Sequence, residues 1–147
     1  IIGTYINSTM ALHEALSKGA DEALLLDKNG NISEGSGENI FIVKNGEIYT
    51  PKTDYCLNGL TRQSIIQIAK DQNIKVIETN LKYEDLVMAD EAFFTGTAVE
   101  VTPITSIDSN KIGSGKRGEI SHILQQKYSE IVAGKDVAYS SWLTYID

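Results

Sequence analysis

The sequence predicts an α+β fold with a largely antiparallel sheet. Asn-Gly pairs at 29–30 and 45–46 each sit between short apolar runs, the pattern of antiparallel hairpins. Segments 61–71 and 118–133 space their apolar residues as helices do. Strands and helices do not alternate strictly, which excludes a doubly wound parallel sheet.

In chain order, residues 6–18 read as a helix that Ser8 or Thr9 could cap and Gly19 stops. Residues 23–27 are a short apolar strand, 32–34 resume after the Asn29-Gly30 turn, and 39–44 form the next strand. Asn45-Gly46 turns the chain back into 47–50, so the two hairpins predict an antiparallel meander. Pro51 ends that run, and residues 52–59 form a loop closed by Asn58-Gly59. The helix over 61–71 carries apolar residues at 65, 66, 68 and 69. A strand is predicted over 75–80 and a short helix over 83–89. Strands 91–95 and 99–103 are broken by Gly96-Thr97-Ala98. The glycine-rich, polar stretch 108–118 predicts a flexible loop, and a last helix runs to 133 before Gly134.

At 147 residues the chain is one domain of ordinary size, able to bury roughly two thirds of its unfolded surface. A net charge of −7 argues against nucleic acid or an anionic membrane as partner. It leaves room for a small anion bound by backbone amides. Cys56 is the lone cysteine, so no disulfide framework exists and a reduced, cytoplasmic setting is expected. His13 and His122 are far apart and have no cysteine or second histidine nearby, so no metal site is expected. No stretch is apolar enough to span a bilayer.

The candidate sites are modest one by one. Glu34 lies between Ser33 and Gly35, with Glu38-Asn39 following, and glycine lets a carboxylate approach a planar ligand closely; two solvated loop acids are the commoner case. Leu57-Asn58-Gly59-Leu60-Thr61-Arg62 leads a glycine loop into a helix start, where free amides attract an anion, although Thr61 could simply be an N-cap. Thr97 and Ala98 follow Gly96 at a strand break that could turn amides toward a ligand or be only a bulge. Asp27, Asn29, Asn31 and Glu38 have calcium-loop spacing, but Ile32 stands where that loop needs glycine. Residues 113–118 lack the order of a phosphate loop.

Their joint order is more specific: an acid beside glycine in a Gly/Ser-rich run, a hairpin, a glycine-Thr helix start, then Gly-Thr at a strand break. It resembles the fold-type IV pyridoxal-phosphate enzymes, and among them the branched-chain amino-acid aminotransferases. The matching residues are Gly3-Thr4-Tyr5 with Asn7-Ser8, Glu14-Ala15, Leu26-Asp27, residues 33–41, Thr50-Pro51, Leu57 with Gly59-Leu60-Thr61-Arg62, Ala89-Asp90-Glu91, residues 95–100 with Pro103, and Trp142-Leu143.

The resemblance implies a barrel-like, largely antiparallel sheet with flanking helices, residues 1–147 forming the family's large domain. It implies pyridoxal 5'-phosphate as cofactor, with Glu34 on the pyridine nitrogen, Tyr5 on the phenolic oxygen and Leu57 on the ring face. Leu60, Thr61 and Thr97 would hold the phosphate, and Thr97 and Ala98 the substrate carboxylate. The implied reaction moves an amino group between Leu, Ile or Val and 2-oxoglutarate, in a homo-oligomeric parent protein. The family's Schiff-base lysine would stand just before Ile1, and its small N-terminal domain is not matched, so the chain alone is expected to be inactive. Aminodeoxychorismate lyase, D-amino-acid aminotransferase and a non-catalytic binding module are the alternatives.

Overall fold

A computed structural model describes residues 5–144 and residue 146. Gly3 and Thr4, which contribute to the resemblance, lie outside the described residues.

The core is a five-stranded sheet built around a strand that is buried on both faces. That strand, β3 (Asn39–Lys44), is followed by β4 (Glu47–Pro51), β5 (Val76–Thr79), β6 (Glu91–Gly96) and β7 (Glu100–Ile104), in the spatial order β5-β4-β3-β6-β7. Every pair is antiparallel except β4 and β5, which run parallel. A parallel pair needs a crossover, and helix α2 (Leu60–Asp71) supplies it.

The apolar run Ile40-Phe41-Ile42-Val43 explains the central position of β3. Successive strand residues face opposite sides, and a continuous apolar run requires cover on both. On one face Phe41, Val43, Ile48, Phe93 and Val101 pack under Ile65, Ile68 and Ala69 of α2 and Leu124 and Ile131 of α4 (Glu119–Val132). The Phe41 and Phe93 rings stack with centroids 5.1 Å apart. On the other face Ile40, Ile42 and Ala92 pack with Ile32, Leu81, Ile112, and Leu86 of the short helix α3 (Tyr83–Val87).

Two small two-stranded sheets flank this core. The first joins β1 (Leu24–Leu26) to β2 (Ile32–Gly35), and the second joins β8 (Ser106–Ile107) to β9 (Asn110–Lys111). The predicted meander is therefore corrected: β2 and β3 are not hydrogen-bonded neighbours, and the two hairpins belong to separate sheets. Asn45 and Gly46 both have positive φ, 52° and 78°, as a two-residue hairpin turn demands. The Asn29-Gly30 turn is longer. Asp27 organises it, its carboxylate accepting from the Asn29 amide at 2.7 Å and the Asn31 amide at 2.9 Å. This occupies the carboxylate that the calcium spacing would have needed.

Helix α1 (Ile6–Ser17) begins one turn earlier than a Ser8 or Thr9 cap would place it. Tyr5 stands at its N-cap without a side-chain cap bond. None of its residues is buried, and Ile6, Met10 and Leu16 lie exposed. Stretch 108–118 is not simply a flexible loop. It contains β9 and the buried Ile112, and its glycines allow close packing: a Cβ at Gly113 would collide with the Asp90 carbonyl, and one at Gly118 with the Glu91 carboxylate. A 3-10 helix (Val137–Trp142) closes the tail, where Tyr139 and Trp142 meet edge to face. Among the described residues, no helix is long and apolar enough to cross a membrane.

Candidate functional site

Three polar side chains at the β2–β3 turn grip the loop that leads into α2. Ser33 Oγ donates to the Tyr55 carbonyl at 2.5 Å. The Leu57 amide donates to Glu34 Oε2 at 2.9 Å. Asn39 Nδ2 donates to the Leu57 carbonyl at 2.6 Å. Leu57 is thus held by both its backbone groups, while its side chain stays 62% exposed. Glu34 is half-buried on β2, so its carboxylate has a fixed direction.

The loop ends at Gly59, the N-cap of α2. The first bond of the helix runs from the Gln63 amide to the Gly59 carbonyl at 3.0 Å. The amides of Leu60, Thr61 and Arg62 therefore have no acceptor within the helix, and they lie at the positive end of its dipole. Thr61 is buried and is not the cap: Gly59 occupies that position, with no side-chain cap bond. Leu60 is 83% exposed, so the helix start is open to solvent.

The β6–β7 connection reaches the same region. Gly96 pairs with Glu100, leaving Thr97, Ala98 and Val99 as a three-residue tip, with Glu100 left-handed at φ 51°. Thr97 and Ala98 are exposed. Register pairs Thr95 with Asn39. A Cβ at Gly96 would lie 3.3 Å from the Gly37 carbonyl and 3.5 Å from Glu38 Cγ. Asn39 therefore links three parts: it starts β3, pairs with the strand that carries the Thr97 tip, and clamps Leu57.

Glu34, Leu57, Leu60, Thr61 and the Thr97-Ala98 tip are joined by these contacts. Tyr5 stands apart from them at the start of α1, 54% exposed, and the described hydrogen bonds do not tie it to the others. Asn39 and Gly59 stand in the motifs read from sequence, but the contact between them and the Asn39 clamp on Leu57 do not. A Cβ at Gly59 would lie 2.5 Å from Asn39 Oδ1, a contact between residues too far apart in sequence to leave a local signal.

Burial, aided by the charges of Glu22 and Glu34, pushes the Glu38 carboxyl above its ordinary value, against a 3.1 Å bond from the Gly37 amide. Burial also raises the Cys56 thiol, which is the wrong direction for a nucleophile. Among the described residues no group of three or more His, Cys, Asp and Glu side chains could hold a metal. A strand-held carboxylate beside open amides suits a ligand with a basic ring nitrogen at one end and an anion at the other.

Residues 2–107 match the model of the family described as amino-transferase class IV. The chain belongs to that family. A branched-chain-amino-acid aminotransferase of Pseudomonas aeruginosa is 51% identical over 144 residues, which is 98% of this chain and 47% of that protein. The T.th. branched-chain amino acid aminotransferase superposes with a TM-score of 0.97 at 48% identity, covering 99% of this chain and 49% of that one. Its solved complexes include N-(5'-phosphopyridoxyl)-L-glutamate and 4-methylvaleric acid. The enzyme of Thermobaculum terrenum, solved in its PLP form, superposes at 0.94 with 38% identity, covering 97% of this chain and 47% of that one. This class IV amino-transferase chain spans about half the length of the relatives it matches, and it shares their mixed fold of largely antiparallel sheet and flanking helices.

Proposed function

We propose that this chain is the cofactor-binding large domain, residues 1–147, of a branched-chain amino-acid aminotransferase, and that its cofactor is pyridoxal 5'-phosphate. The observation that carries the reading is the Leu57 loop. Leu57 itself is bonded to the Glu34 carboxylate, and two residues further on Gly59 opens into the free amides of α2. These residues suit the two ends of that cofactor. Glu34 would hold a proton on the pyridine nitrogen. The amides of Leu60 and Thr61, with the Thr61 and Thr97 hydroxyls, would bind the phosphate. Exposed Leu57 would cover one ring face, and Tyr5 would donate to the phenolic oxygen. Amides at Thr97-Ala98 would orient the substrate carboxylate.

When bound, the cofactor supplies a ring that accepts electrons from the substrate α-carbon. The amino donor would be Leu, Ile or Val and the acceptor 2-oxoglutarate. The glutamate adduct and the branched acid bound by the T.th. enzyme support those two choices. On the family resemblance, the Schiff-base lysine is not among the chain's own lysines, Lys18 to Lys135, and on that reading residues 1–147 alone should not transaminate. The full-length protein would be a homo-oligomer acting on small molecules in the cytoplasm. Ile6, Met10 and Leu16, exposed on α1, offer apolar surface for association.

A substrate panel on the full-length protein tests this. With 2-oxoglutarate as acceptor, Leu, Ile and Val should turn over faster than D-alanine, and aminodeoxychorismate should not be cleaved. Preference for either competitor would overturn the assignment. Glu34→Gln should lower kcat by at least about a hundredfold, because a neutral amide cannot keep the ring nitrogen protonated.

A further inference from the structure

Arg62 is the most deeply buried charged side chain beside the site, 2% exposed, and nothing above assigns it a task. Its guanidinium holds three partners. Nη2 donates to the Pro51 carbonyl at 3.0 Å and to Glu78 Oε2 at 2.6 Å, and Nη1 donates to Asn58 Oδ1 at 3.1 Å. Nε is buried with no partner among the described residues. Glu78, on β5, is half exposed.

For stability alone this is a poor design. A buried charge with an unpaired donor is costly, and an apolar side chain of similar size often serves as well or better. The geometry is specific, however. Pro51 ends β4, Asn58 immediately precedes the N-cap Gly59, and Arg62 lies one residue after Thr61. One planar fork therefore ties both ends of the 52–59 loop to the first turn of α2. That loop carries Leu57, and the first turn carries the open amides. The Gln63 side chain reinforces the junction, donating to the Asn58 carbonyl at 3.0 Å. A lysine, with one compact ammonium, cannot reproduce the fork.

We propose that Arg62 is a positioning residue that sets the spacing between the Leu57 loop and the amides of Leu60 and Thr61, and so tunes recognition of the cofactor's phosphate. This rests on the cofactor reading above. Arg62 does not touch the ligand; it acts through the loop and the helix start.

The test uses the full-length protein without cofactor and two probes that form no covalent bond with it, pyridoxamine 5'-phosphate and pyridoxamine. Affinities are read from fluorescence quenching. In the wild type the phosphate form should bind far more tightly. Arg62→Met and Arg62→Lys should each reduce that preference by roughly tenfold or more, with pyridoxamine affinity unchanged. Glu78→Gln leaves the Pro51 and Asn58 bonds in place and should reduce it less. If both Arg62 variants keep the preference within about twofold of wild type, even with a lowered unfolding midpoint, Arg62 is structural only and the proposal fails. Should Arg62→Met not fold, Arg62→Lys decides on the same criterion. A wild type that binds both probes equally would overturn the cofactor reading itself, a separate outcome.

Discussion

At Gly59 the backbone is extended, φ −61° and ψ 148°, a conformation open to any residue. The requirement for glycine is therefore steric. A Cβ there would press on Asn39 Oδ1, whose amide nitrogen holds the Leu57 carbonyl. Gly59→Ala should cost about 1–2 kcal/mol in urea unfolding of the protein and weaken cofactor binding as well, because it displaces the clamp; unchanged values on both counts would exclude this role for Asn39. The individual residues show why the site was only partly legible. Glu34 stood out because glycine and serine surround it, and a local pattern suffices for that. Its partner Leu57 is 23 residues away, and Asn39 looks like an ordinary strand start. Thr61 was readable as an N-cap or as an anion ligand. The structure removes the cap by placing Gly59 there, and its amides remain open.

Helix α4 shows the same limit at the scale of elements. Its period was legible, but its N-terminus carries no local cap: Gly118 has no side chain to offer. Glu91 of β6 serves instead, accepting from the Ile120 amide at 3.0 Å and from the Ser121 amide and hydroxyl at 2.8 and 2.7 Å. Glu91→Ala should cost about 2 kcal/mol in chemical unfolding, whereas a cap of no consequence would leave the midpoint unmoved. The C-terminal 3-10 helix has no counterpart among the elements predicted from sequence, which end at Gly134. It is anchored by Tyr139, whose hydroxyl donates to Asp71 Oδ2 of α2 at 2.5 Å. Burial, and then the Asp71 acceptor, push the phenol from its ordinary 10.0 up to about 12. A phenol with a raised folded value stabilises fully below pH 10 and loses that contribution as pH rises through 12. Tyr139→Phe should cost about 1 kcal/mol at neutral pH, since the Asp71 acceptor is solvent-exposed. Its deficit relative to wild type should shrink between pH 10 and 12; a deficit constant over that range would contradict the anchoring bond. The β1–β2 and β3–β4 hairpins were predictable from Asn-Gly turns between apolar runs, but the antiparallel β3–β6 and β8–β9 pairs were not. Nor was the parallel β4–β5 pair, because α2 carries the chain away between them and period alone does not say where it returns.

Across the whole molecule, two helices cover one face of the central sheet, and the small β1–β2 sheet and α3 lie on the other. The groups proposed to bind the cofactor gather where β2, β3 and β6 end or begin and where α2 starts. This is a consequence of topology: the β4–α2–β5 crossover carries the α2 N-terminus back beside β3, and the β6 register carries the Thr97 tip to the same edge. The fold class was legible because turns and periodicity are local. The convergence was implied only by the family resemblance and not by local pattern, because it depends on register and on one crossover. On the proposed reading, Glu34 and the α2 N-terminus bind opposite ends of one cofactor. The most direct measurement is a crystal structure of the full-length protein with pyridoxal 5'-phosphate. The phosphate should lie on the Leu60 and Thr61 amides, with the pyridine nitrogen against Glu34. A phosphate bound elsewhere, or a ring turned so that its nitrogen faces away from Glu34, would contradict it.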